Sequence, residues 1–126
     1  MITASPFFVK YASLIPVGKK TFASAFIENK GDGNFSIKPL PSLAQVSSIN
    51  SILIDDYDAD GYKDLLVSGN LYVSEIETPR NDAGTGLLLY GDGRGNFSPV
   101  SINKSGFYAP YDAKDMKIIK VGSKNV

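Results

Sequence analysis

Glu28-Asn29-Lys30-Gly31-Asp32-Gly33-Asn34-Phe35-Ser36 returns in altered form as Tyr90-Gly91-Asp92-Gly93-Arg94-Gly95-Asn96-Phe97-Ser98, with Phe35 and Phe97 spaced 62 residues apart. In each copy an apolar run leads into a Gly-rich turn and a Phe-Ser segment follows. This is the pattern of a tight hairpin: glycines accept positive φ, and the Phe is expected to anchor the return strand in the core. Repeats at this scale point to an array of supersecondary units. One period holds Ser48 to Ile54, Asp64 to Ser68, Gly86 to Tyr90 and Phe97 to Ile102, each short, apolar and bounded by turn residues. Further strands are expected at Phe7 to Tyr11, Phe22 to Glu28, Phe35 to Leu40 and Met116 to Val121.

The expected fold is therefore all-β, built of antiparallel four-stranded blades of a β-propeller, with about two blades present. Residues 1–45 would form a partial blade, 46–105 a complete one, and 106–126 the first strand of the next. No stretch keeps helical periodicity over three turns. Open blade edges invite pairing, so the isolated chain is expected either to form a homo-oligomeric ring that completes a propeller, with Met116 to Val121 completing a neighbour's blade, or to be unstable in solution.

Composition narrows the chemistry. The 126 residues contain no Cys and no His, which removes thiol and imidazole nucleophiles, zinc-thiolate sites and disulfides. Thirteen basic side chains balance thirteen acidic ones, without a basic stripe, so nucleic acid is not an expected partner. No apolar run approaches the roughly 20 residues that span a bilayer. Met1 to Lys10 does not read as a signal peptide.

The stretch that carries chemistry is Asp56-Tyr57-Asp58-Ala59-Asp60-Gly61-Tyr62-Lys63-Asp64. Carboxylates alternate before a Gly that allows a sharp turn, and Asp64 closes the loop at its ninth position. Hard Ca²⁺ takes six to eight oxygen ligands at about 2.3–2.6 Å, and alternate carboxylates wound round a turn can converge on one ion. Crowded aspartates would otherwise repel one another. The expected ligands are Asp56, Asp58, Asp60, the Tyr62 carbonyl and Asp64, with Asp55 facing away. An EF-hand would need a Glu at the twelfth position, where Val67 stands, so that reading fails. Mg²⁺ is less suited, because it demands stricter octahedral geometry.

With Leu65-Leu66-Val67 appended, this stretch resembles the D-x-D-x-D-G-x-x-D-L core of the FG-GAP/VCBS repeat, found in integrin α-subunit propellers and many bacterial surface proteins. The hairpins at Gly31 to Phe35 and Gly91 to Phe97 resemble its G-D-G-x-F segment. Pro39 to Gln45, Gly69 to Tyr72 with Glu75, Arg80 and Asp82, Ser105 to Tyr108 and Asp112 to Lys114 are similar to the C-terminal part of the large VCBS-repeat proteins of Bacteroidetes grouped with ASPIC/UnbV proteins. The resemblance implies calcium ligation by the same five groups and an extracellular, periplasmic or cell-envelope location. It also implies a segment of a longer protein and a non-catalytic scaffold that meets a protein or glycan through its blade loops.

Glu75, Arg80 and Asp82 lie in a long connection and are candidate partner-binding residues. With Glu77 they also support the alternative of a glycan-acting hydrolase using an acid pair. Gly91 to Gly95 lacks the Lys-Ser/Thr ending of a phosphate loop and precedes a strand. Seven Tyr and seven Phe read as packing or as a carbohydrate-stacking platform, and sequence order does not separate the two.

Overall fold

A computed structural model of the chain describes residues 22–122, 124 and 125; the strand expected at Phe7 to Tyr11 lies outside them. The described part is mostly β. Strands β1 (Ala25–Gly31) and β2 (Asn34–Pro39) form a hairpin. Strands β3 (Ser51–Asp55), β4 (Asp64–Ser68), β5 (Leu87–Gly91) and β6 (Phe97–Val100) form one antiparallel sheet in chain order. A 3-10 turn at Ser42–Gln45 and one helical turn, α1 (Ile102–Ser105), complete the scaffold. The expected four-stranded antiparallel unit is thus present, and among the described residues no sheet closes on itself.

The turns explain the hairpins. At Asp32-Gly33 both residues have positive φ, the conformation that matches strand twist in a two-residue loop. The β5–β6 connection is longer. There the Asp92 carboxylate accepts the amides of Arg94 and Asn96 at 2.8 and 3.0 Å, so the side chain replaces missing backbone partners. Those bonds and the Asn96 side-chain amide, the strongest influence, hold the Asp92 carboxyl down at about 2.

Strand β4 is central and carries the core. Leu65 and Val67 face one side with their cross-strand partners Leu89 and Leu87. They pack with Leu40 and Ala44, against which Phe26, Ile49, Ile52 and Phe97 also lie. Leu89 is wholly buried, and each such leucine contributes about 1.5–3 kcal/mol of burial free energy. The ring of Phe97 meets Phe26 edge to face, with centroids 5.6 Å apart, so the two sheets join through this pair.

Phe35, expected to behave as Phe97 does, is 61% exposed. The cause is register. Phe26 pairs with Lys38 and faces the β5–β6 hairpin, where the Lys38 ammonium reaches the Arg94 carbonyl. Alternation then turns Phe35 and Ile37 to the opposite face.

Two further expectations need correction. Of Met116 to Val121, only Lys120–Val121 is strand (β7), and it pairs with β8 (Lys124–Asn125) across a turn where Gly122 has φ of 64°. Ile118 and Ile119 are exposed and join no sheet, because this local hairpin is the pairing the segment finds. The β6 segment also stops short of Ile102, since the chain turns into α1 and ends it on Gly106 with φ of 68°.

Candidate metal centre

The loop from Asp56 to Lys63 joins β3 to β4, so its two ends are fixed by the Asp55–Asp64 register pair of the sheet. Inside it the backbone is wound tightly, with Ala59 at φ 63° and Gly61 at φ 90°. Gly61 adopts that conformation at little cost; Ala59 carries a strain of roughly 1–2 kcal/mol for a left-handed L-residue.

This winding brings Asp56, Asp58 and Asp64 together, each offering one carboxylate oxygen within 4.8 Å of the others. Asp64 is the buried member, with no exposed surface. Its carboxylate accepts the Tyr57 amide at 2.8 Å through Oδ2 and the Gly91 amide at 2.9 Å through Oδ1. Asp56 accepts the amides of Asp60 and Gly61 at 3.1 and 3.0 Å. Asp58 shares the Asp60 amide at 3.2 Å.

Asp60 is not one of the converging three. Its Oδ1 accepts the Tyr62 amide at 2.8 Å. The Tyr62 ring is half-exposed and lies over Gly93. Asp55, the cross-strand partner of Asp64, is not one of the three either. Its carboxylate takes the Asp56 amide and the Lys63 ammonium, which together hold its pKa below the usual value.

Electrostatics marks the cluster. Partial desolvation raises the Asp58 pKa, and the negative charges of Asp60, Asp64 and Asp56 add to it, against the opposing Asp60 amide. Burial also raises the Tyr57 phenol, with Asp55 and Asp64 adding to it. The arrangement is thus a converging set of hard oxygens with no cationic side chain among the three. Its chemistry suits a hard divalent cation.

Sequence reasoning overlooked Gly91. A Cβ there would lie 2.2 Å from the Lys63 carbonyl, so β5 can approach the loop only through a glycine. The sole hint in the sequence was the Gly that opens the Gly-Asp-Gly turn.

Glu75, Arg80 and Asp82 are not assembled into a site. All three are exposed, and among the described residues none forms a salt bridge. Arg80 lies over the Tyr72 ring, 5.0 Å from its centroid. No described helix is long and apolar enough to cross a membrane. Comparison with protein-family models, with curated proteins and with solved structures returned no match.

Proposed function

We propose that the chain is a calcium-binding, non-catalytic scaffold module of the FG-GAP/VCBS type, a stretch of β-propeller whose metal loop joins the first two strands of a blade. The observation that carries the reading is the convergence of the Asp56, Asp58 and Asp64 oxygens within 4.8 Å. Three carboxylates held that close gain from a shared divalent cation, which would neutralise the repulsion felt at Asp58. Asp60 would join through its second carboxylate oxygen, and the Tyr62 carbonyl would supply a backbone ligand. The outward Phe35 and Ile37 are what a neighbouring blade on that side would cover.

The ion's role here is structural: it would lock the β3–β4 loop and, through Asp64 and Gly91, the end of β5. Differential scanning fluorimetry with added Ca²⁺, with Mg²⁺ and with chelator tests this. At a hundredfold excess over the dissociation constant, Ca²⁺ should add about 2.7 kcal/mol of stability. A melting temperature that ignores both Ca²⁺ and chelator would sink the reading.

A further inference from the structure

The connection from β4 to β5 is a built loop. Leu71 and Asn81 exchange both backbone hydrogen bonds at its base, at 2.8 and 2.9 Å. Within it the Ser74 hydroxyl donates to the Thr78 carbonyl at 2.7 Å, and the Thr78 amide donates to the Glu75 carbonyl at 2.9 Å. The result is a pre-formed turn with Ile76 at its tip, fully exposed, and Val73 83% exposed beside it. Glu75 and Glu77 flank the isoleucine. An ordered apolar tip between two acids has lost little freedom to lose on binding, which favours docking.

The opposite end of the same sheet carries a complementary feature. A hollow of about 370 Å³ is lined by Phe26, Ile54, Leu65 and Phe97, with Lys63 and Arg94 at its rim. Two acids also border it, and both are already engaged: Glu28 pairs with Lys30 at 2.7 Å, and the Asp92 carboxylate is taken by its own turn. Among the described residues Arg94 has no ion pair.

We propose that the Ile76 turn of one copy docks into this hollow of a second copy, with Glu75 and Glu77 meeting Arg94, since the Lys63 ammonium is already taken by Asp55. Tip and hollow sit at opposite ends of the sheet, so the contact is head-to-tail and builds a ring or an open chain of copies. One loop in one hollow buries less than the ~1,000 Å² of a durable interface, so the association is weak, concentration-dependent and weakened by salt. It uses none of the three converging aspartates, but Gly61, Tyr62 and Lys63 of the metal loop line the hollow, so self-association is read in chelator, where the calcium reading plays no part.

Sedimentation velocity of the full chain in chelator, over a wide range of protein concentration, tests it. The sedimentation coefficient should climb with concentration for the unaltered chain and stay flat for Ile76→Ser. Glu77→Arg and Arg94→Glu should each lose the climb alone and recover it when mixed. A flat profile for the unaltered chain, a climb that survives Ile76→Ser, or no recovery on mixing would overturn the proposal. So would Ile76-dependent flotation with zwitterionic vesicles in place of self-association, which would assign the tip to a membrane surface. Folding of each variant is checked by circular dichroism, and all three positions are exposed.

Discussion

The two ends of the four-stranded sheet solve opposite problems with polar groups. At the β3–β4 turn, like charges converge and share a few backbone amides, nearly all from within eight residues of chain. At the other end a neutral amide, Asn70, is wholly buried and fully answered. Its Nδ2 donates to the carbonyls of Gly84, Pro110 and Tyr111, and its Oδ1 accepts the Gly84 amide and the Ser47 hydroxyl. Asn50 adds bonds to the Asn70 and Ala113 carbonyls. The difference teaches what each end asks of its surroundings: the amide network answers its own polar groups, whereas the carboxylate loop crowds like charges that the proposed cation would relieve.

The comparison can be broken most forcefully at Asn70. Asn70→Ala leaves several buried donors and acceptors without partners and should cost roughly 3–5 kcal/mol, read from chemical denaturation. If that variant melts like the parent, the network is not what holds this end.

Gly91→Ala comes next. The added methyl must displace the Lys63 carbonyl and with it Asp64, so stability without metal falls and calcium affinity, measured by titration calorimetry, falls with it. Unaltered calcium binding in a folded Gly91→Ala chain would separate β5 from the site.

Asp58→Ala should act in reverse. It removes one of the crowded charges, and the Asp60 amide keeps its bond to Asp56, so the chelated protein should melt higher while its response to Ca²⁺ is lost. A variant that melts lower in chelator would show that the loop is not strained.

Acid sharpens the contrast. Asp112 belongs to the amide end, and the Lys114 ammonium and then the Tyr72 amide hold its pKa below the ordinary value of 3.8. Its contribution is present above that value and fades as pH falls through the lowered one. Asp58, whose folded pKa is raised, opposes folding at neutral pH, and that cost is relieved as pH falls through its folded value. Carboxyl NMR titration of the metal-free chain should therefore show the two aspartates displaced in opposite directions. The smallest effect is expected at Ala59→Gly, which relieves a positive φ and should raise stability without metal by up to about 1 kcal/mol.

What could be read from the chain follows the same division. The Asp-Gly turns, the β4 run Leu65-Leu66-Val67 and the alternating aspartates are local patterns, and local patterns survive without knowledge of the fold. Which way Phe35 faces depends on the register that places Phe26 against Phe97, so two matching Phe-Ser segments have different fates. The part Asn70 plays was not legible, because its partners at Pro110 and Tyr111 lie about forty positions away. Met116 to Val121 had strand-like composition, and what decided its pairing was the turn at Gly122. Asp60 is the subtle case: its spacing matches a ligand, yet the three oxygens that converge belong to Asp56, Asp58 and Asp64.

The clasp between Leu71 and Asn81 has an evolutionary corollary. A segment whose two ends are already tied is a cassette, and lengthening it raises closure entropy only logarithmically. Descendants of this chain could exchange residues 73–80 for foreign stretches while the sheet beneath stayed in register, and an epitope grafted there in the laboratory should be displayed rather than absorbed.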